Sequence, residues 1–150
     1  MSDKSPLESV RMKVLRQHAE LRARLGSLDR AAPSATSPAA RTHLRLSLLR
    51  FAAAFEEHLA FEESALVDAM RDFDPWSSVR EARLLEEHAE QRDRVERLCA
   101  MADEGGVTSA ELAGEVHWFT QVLRDDMVEE ESRLADLIAI EEHGLEQMTG

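Results

Sequence analysis

The sequence has few of the residues that build disulfide frameworks, sheets or membrane spans. Its 150 residues include one cysteine, six glycines and no tyrosine. The single cysteine, Cys99, cannot form a disulfide framework, and no stretch approaches the roughly 20 consecutive apolar residues of a membrane helix. The N-terminal stretch MSDKSPLESVRMKV lacks the long apolar run of a signal peptide. We therefore expect a soluble cytoplasmic protein made of one domain, residues 1–150.

Positive charge is also scarce, because 18 basic residues face 30 acidic ones and the formal net charge is -12. Such a chain is repelled by the phosphates of nucleic acids and by anionic lipid headgroups. The charge therefore argues against nucleic acid and membrane surfaces as partners. The absence of tyrosine argues against chemistry that uses a tyrosyl radical.

What the sequence has in excess is helix-forming residues, since alanine, leucine, glutamate and arginine dominate. Four positions combine a capping residue with a proline or a suitably spaced glutamate, which is typical of helix starts. These starts are Ser5-Pro6, Ser37-Pro38, Asp74-Pro75 and Thr108 with Glu111. The predicted helices cover about 6–28, 38–71, 75–101 and 109–142.

Each predicted helix carries one apolar stripe, and short connections join them. This pattern predicts an all-α fold, an antiparallel four-helix bundle with up-down-up-down topology. The third stripe includes Leu84, Leu85, Val95 and Leu98.

The chain also contains an internal repeat. LRQHAELRARL in the first helix aligns with LEEHAEQRDRV in the third, and FEEHLAFEESAL in the second aligns with LRDDMVEEESRL in the fourth. The chain therefore reads as two copies of one helical hairpin. The matched pairs are His18 with His88, His58 with Asp126, and Glu62 with Glu130.

Six polar residues fall inside the apolar stripes, near the middle of each helix. They are His18, His58, Glu62, His88, Asp126 and Glu130. A buried carboxylate without a partner is costly, and several together repel one another. Divalent metal ions bind imidazole and carboxylate groups at once, so the layer predicts a site for one or two ions.

Any one of these residues alone is weaker evidence for a metal site than the six together. A lone His18 on an apolar stripe is more often a hydrogen-bonded core histidine than a ligand. The neighbouring glutamates Glu56, Glu57, Glu63 and Glu131 are expected to face solvent.

These motifs, QHAELR, EEHLAFEESAL, EEHAEQRDRV and DDMVEEESRL, together resemble the hemerythrin-like, or HHE cation-binding, domain. The resemblance covers essentially the whole chain and implies a di-iron centre with an oxo or hydroxo bridge. It implies terminal ligands at His18, His58 and His88, and bridging carboxylates at Glu62 and Glu130. Manganese or zinc are further candidates for the same donors.

Two positions depart from the family pattern. Arg92 stands where oxygen carriers have a second histidine in the third helix, and its guanidinium stays protonated and cannot ligate. We expect Arg92 to pair with a carboxylate of the site or with a bound anion, and the repeat-related Arg22 to lie at the surface. Asp126 replaces a histidine and provides an anionic oxygen donor, which favours a harder or more oxidised ion.

Three functions remain open on the sequence. The first is a di-iron protein that binds or senses oxygen or iron. The second is an enzyme that uses the same centre to process hydrogen peroxide. The third is a metal-poor helical scaffold for protein interactions. Dioxygen or peroxide is the expected small ligand in the first two cases.

Overall fold

Helices joined by short turns make up the part of the chain described by the computed structural model, which covers the backbone of residues 4–149 and side chains through residue 144. Within these residues there is no strand, which confirms the all-α prediction. No helix in this range is long and apolar enough to cross a membrane. The helices are α1 (Pro6–Ala31), a 3-10 turn (Ala32–Ser34), α2 (Pro38–Phe61), a π-helical segment (Glu62–Leu66), α3 (Val67–Arg71), α4 (Ser77–Asp103) and α5 (Ser109–Thr149).

Three of the four predicted helix starts have the expected capping contacts. Ser5 and Ser37 each accept a hydrogen bond from the backbone N–H three residues further on, both at 3.1 Å. Thr108 and Glu111 form a reciprocal pair, in which each side chain accepts a bond from the other's backbone N–H at 3.1 and 3.2 Å. These contacts satisfy N–H groups that the first helical turn leaves without partners.

The fourth start was predicted two residues too early. Pro75 lies in a turn and α4 begins at Ser77. The buried Asp74 nevertheless holds this turn, because its carboxylate accepts bonds from the Trp76 backbone N–H at 3.0 Å and from Arg80 Nε at 2.6 Å. Asp74 therefore organises the turn that precedes α4.

The second predicted helix, 38–71, is not one continuous α-helix. Five residues, Glu62–Leu66, form a π-helical turn between α2 and α3. Single π turns inside α-helices occur often at functional sites. This turn begins at a glutamate whose side chain is fully buried.

The helices surround a core that is divided into two apolar clusters. Helix α1 packs against α2 and α5, while α4 packs against α2 and α5. The first cluster includes Leu25, Leu48, Phe51, Phe119 and Leu123. The second includes Leu7, Val14, Leu66, Met70 and Leu134. The boundary between the two clusters falls at His18 on α1, at Glu62 after α2 and at Glu130 on α5, three of the residues predicted as ligands.

Helix α4 covers the core less completely than the other helices do. Its buried residues are His88, Leu98 and Ala102. Leu85, predicted to lie on the apolar stripe, is 45% exposed. The second cluster therefore receives from α4 only the partly buried Leu84.

Candidate metal centre

The layer between the two apolar clusters consists of histidine and glutamate side chains from all four long helical stretches. His18, His58, Glu62 and His88 are each at most 3% exposed, and Glu130 is 16% exposed at its side chain. Polar groups in such a place need hydrogen bonds, counter-charges or a cation.

Three of these side chains form a first group of potential metal donors. His18, His58 and Glu130 offer ligand atoms that all lie within 4.8 Å of one another. Oε1 of Glu130 lies 2.7 Å from Nε2 of His18 and 3.6 Å from Nε2 of His58. Both imidazoles thus direct Nε2 at the same carboxylate oxygen.

A second group shares one residue with the first. Glu62, His88 and Glu130 also have ligand atoms within 4.8 Å of one another, and His88 Nε2 lies 3.5 Å from Glu62 Oε1. Because Glu130 belongs to both groups, the two sets of donors are adjacent. A carboxylate in this position is able to contact two ions at once.

The Glu62 carboxylate shows that a cation fits this arrangement. Both of its oxygens are buried and lack a hydrogen-bond partner among the described residues. Nε2 of His58 lies 2.9 Å from Oε1, but this contact is an ion-pair approach without hydrogen-bond geometry. Imidazole nitrogen with carboxylate oxygen is a donor set that suits iron, manganese and zinc.

Without a cation, protons on histidine balance the negative charge. Burial lowers the pKa of His58, but Glu130 and Glu62 have the larger, opposite effect. The resulting pKa of His58 is about 9, above its usual value. Burial also lowers the pKa of His88, and Glu62 and Glu63 raise it above its usual value. Histidine must lose its proton to bind a metal ion, so cation binding here releases protons.

The pKa values of the two central carboxylates shift in opposite directions. Burial raises the pKa of Glu62. Burial acts in the same direction on Glu130, but its hydrogen bond with His18 and the nearby imidazole of His58 hold the pKa of Glu130 well below its usual range. Glu130 is therefore the ionised carboxylate at the centre of the layer.

The outer nitrogen of His18 has an acidic partner that the sequence analysis assigned to solvent. Nδ1 of His18 donates to Glu131 Oε2 at 2.6 Å, and Nη1 of Arg22 lies 2.9 Å from the same oxygen. Burial raises the pKa of Glu131, but Arg22 and His18 bring it below its usual value. The solvent assignment of Glu131 was therefore wrong, and the surface residue Arg22 takes part in this contact.

The repeat-related histidine has the same kind of partner. Nδ1 of His88 donates to Glu63 Oε2 at 2.7 Å, and Arg92 donates to both oxygens of Glu63 at 2.8 and 2.9 Å. Arg92 also bonds the carboxylate of Glu56. The Arg92 bonds lower the pKa of Glu63. Arg92 thus pairs with a carboxylate behind a predicted ligand, and the solvent assignment of Glu63 was wrong.

The repeat contained a signal for these partners. The doublets Glu62-Glu63 and Glu130-Glu131 occupy matching places in the two hairpins, and in each doublet the second glutamate contacts a histidine. The third histidine partner was not indicated by the repeat. Nδ1 of His58 donates to the side-chain oxygen of Gln17 at 2.6 Å.

Asp126 lies beside the donor groups rather than within them. Its Oδ2 accepts a hydrogen bond from Gln91 Nε2 at 3.2 Å and lies 3.8 Å from Arg94 Nη1. Burial raises the pKa of this carboxyl. Asp126 lines a polar cleft of about 130 Å³ together with His88 and Glu130. Its role as a ligand stays a prediction.

Comparison with known proteins assigns the chain to a family. A family model described as the hemerythrin HHE cation binding domain matches residues 13–138. No curated protein and no solved structure matches the chain. The chain belongs to the hemerythrin HHE cation-binding domain family, which confirms the resemblance. It is a helical cation-binding domain, with histidine and glutamate groups that are able to hold metal.

Proposed function

We propose that this protein holds two iron ions in a non-haem di-iron centre and binds or senses oxygen or iron. The observation that carries the proposal is the pair of donor groups that share Glu130 in a buried polar layer. Two adjacent sets of imidazole and carboxylate donors suit two neighbouring ions better than one. Manganese and zinc accept the same donors and are the competing metals.

The internal repeat suggests how the ligands divide between the ions. His18 and His58 serve the first ion, and His88 with Asp126 serves the second. Glu130, which belongs to both donor groups, and Glu62, which lies near His58 and His88, would hold both ions. Asp126 is included because it holds the place that His58 has in the other hairpin, and because it lines the same cleft as His88. To ligate, its carboxylate leaves Gln91.

The same proposal includes an antiparallel up-down-up-down course for the helices. Short connections join the successive long helical stretches, and short connections favour antiparallel neighbours. The described packing of α1 with α2 and α5, and of α4 with α2 and α5, forms a closed ring of four neighbours.

When bound, the iron pair supplies the electron chemistry, and the protein side chains position and shield it. Glu131 and Glu63 hold the outer nitrogens of His18 and His88, so that each Nε2 points into the layer. This kind of outer contact fixes the tautomer and orientation of a ligating histidine. The apolar clusters on both sides limit the access of water.

A second candidate function is peroxide turnover at the same centre. The observation that favours it is the polar cleft of about 130 Å³ that reaches His88 and Glu130 from the surface between α4 and α5. Gln91 and Arg94 line this cleft and provide hydrogen-bond donors for a small polar ligand such as peroxide.

Metal analysis tests the proposal directly. Protein purified under iron-replete conditions is expected to carry two irons per chain and a near-ultraviolet charge-transfer absorption. Glu130→Ala is expected to lose both ions because it removes the shared donor. Glu57→Ala, at an exposed glutamate beside His58, is the matched control and keeps both ions. A protein that takes up no iron after anaerobic reconstitution contradicts the proposal.

A second measurement separates the two functions. A spectral change on adding dioxygen that reverses when the gas is removed, without peroxide turnover, supports the binding function. Peroxide turnover that scales with iron content, and that Glu130→Ala abolishes, supports the enzyme instead.

A further inference from the structure

An apolar cavity of about 270 Å³ lies between α3, α4 and α5, and it shares Glu87, Glu130 and Arg133 with the polar cleft beside the candidate metal centre. It reaches inward as far as Glu130, and its walls come from the second apolar cluster and from α4. The cavity arises because α4 gives this cluster only the partly buried Leu84. Its apolar walls include Leu66, Met70, Leu84, Leu134 and Leu137.

The outer part of the cavity is apolar and exposed. Trp76 and Val79 line it, and they are 64% and 55% exposed. An occupant of the cavity would cover both side chains, and burying apolar area is favourable at about 25 cal/mol per Å².

Three arginines surround the same opening, in a chain whose net charge is -12. Arg80 contacts Asp74 through Nε alone, and Arg133 contacts Glu87 through Nη1 alone. Among the described contacts, the remaining N–H groups of both guanidinium groups have no partner.

The third arginine, Arg83, has no described hydrogen bond or ion pair. A guanidinium group presents five N–H donors that suit a carboxylate. The opening therefore offers unused cationic donors next to an apolar interior.

We propose that this cavity binds a small amphipathic carboxylate, an apolar chain or ring that carries one acid group. Its volume equals that of about nine water molecules at roughly 30 Å³ each, which suits a ligand of about ten non-hydrogen atoms. The apolar part lies against the leucines, and the acid group faces Arg83 at the opening. The inference concerns a site beside the metal ligands and does not depend on the identity of the metal.

Octanoate is the probe, and the neutral alcohol octan-1-ol is its matched control. The titration uses the protein as purified, with its metal content measured beforehand, in a Trp118→Phe background so that fluorescence reports Trp76. Octanoate is expected to change the Trp76 emission saturably and to bind more tightly than octan-1-ol.

Two pairs of variants locate the site. Arg83→Gln is expected to weaken octanoate binding by roughly three- to tenfold and to leave octan-1-ol binding unchanged. Arg50→Gln, an exposed arginine outside the cavity lining, is the control and changes neither. Val79→Asp places a negative charge at the opening and is expected to reduce octanoate binding far more than its neutral isostere Val79→Asn.

Several results overturn the inference. If octanoate and octan-1-ol bind equally tightly, the arginines do not select an acid. The same conclusion follows if Arg83→Gln and Val79→Asp leave the octanoate affinity unchanged. The face is instead assigned to a second copy of the chain if the protein forms a concentration-dependent dimer, Val79→Asp dissociates that dimer, and octanoate does not bind. Iron content is measured on the same samples, so failure here is distinguishable from failure of the di-iron proposal.

Discussion

Nδ1 of His88 donates a hydrogen bond to Glu63 Oε2 at 2.7 Å, and this contact leaves Nε2 as the nitrogen that points into the polar layer. The pKa of Glu63 is lowered by its bonds from Arg92. The carboxylate is therefore ionised and acts only as an acceptor, so Nδ1 must carry the proton. His18 and Glu131 repeat the relationship in the other hairpin at 2.6 Å.

Removing Glu63 is expected to affect one ion more than the other. Glu63→Ala frees the His88 imidazole to rotate or change tautomer, and loss of such an outer contact typically lowers metal affinity by roughly 10- to 100-fold. The ion assigned to His18 and His58 keeps its own support from Glu131 and Gln17. Iron retained per chain against increasing chelator measures the effect, which should appear as loss of one iron before the other.

Glu56→Ala is the control for this experiment. Glu56 also pairs with Arg92 but is exposed and has no described contact with a histidine. A variant of Glu63 that releases both irons together, or neither, contradicts a role specific to His88.

Asp126 provides a direct test of the repeat-based ligand assignment. Asp126→Asn keeps the size of the side chain and removes its charge, and we expect it to weaken binding of the second ion by about tenfold. Asp125→Asn changes the exposed neighbour and is expected to have no effect on metal content. If Asp126→Asn binds two irons with the affinity of the unmodified protein, Asp126 is only the partner of Gln91.

The stability of the metal-free protein is expected to fall with increasing pH. The pKa of His58 is about 9 in the folded chain against 6.5 for the free side chain. Because the folded state holds this proton more tightly, the stabilisation is complete below pH 6.5 and is lost as the pH approaches about 9. The shift corresponds to at most about 3 kcal/mol.

Urea unfolding monitored across this pH range, with and without metal, checks the prediction. In the metal-loaded protein His58 is a neutral ligand, and a rise in pH should not weaken the fold in the same way. A metal-free protein whose free energy of unfolding is constant across this interval contradicts the protonated state of His58.

A fourth prediction concerns the connection between α4 and α5. Arg41 on α2 donates to the backbone oxygens of Val107 at 2.6 Å and Glu104 at 2.8 Å. Arg41→Gln is expected to lower the free energy of unfolding by about 1–3 kcal/mol, because these oxygens lose a charged partner. Arg45→Gln is the matched control, since its pair with Asp103 is exposed and typically contributes at most about 1 kcal/mol. Equal losses in chemical denaturation contradict the role assigned to Arg41.

Much of the helical layout was predictable because local capping chemistry marks the starts of helices. Ser5, Ser37 and Thr108 act through neighbouring atoms, so the sequence alone reveals them. The helix start predicted at Asp74 was wrong because the sequence does not distinguish a capping aspartate from one that holds a turn. The buried Asp74 carboxylate bonds Arg80 across the turn before α4. The π turn was not predictable, because it depends on how Glu62 is accommodated between packed helices.

The sequence predicted which residues of the candidate site face the core, but not the partners of its histidines. Periodicity identified the residues that face the core, and His18, His58, Glu62, His88 and Glu130 meet there. Periodicity also placed Glu63 and Glu131 on the solvent side of their helices. It gives the position of a residue around the helix axis, but not the direction in which a long side chain extends. Long, flexible glutamates at the edge of the core are able to turn toward a histidine on the next helix.

The division of the core into two apolar clusters suggests a mechanical role for the candidate metal ligands. A helical bundle is usually held together by apolar contacts that continue from one end to the other, and here they are interrupted by a charged layer. Ions bound at this level would join four helical stretches where hydrophobic contact is missing. We therefore expect metal occupancy to determine whether the two ends of the molecule unfold as one cooperative unit or separately.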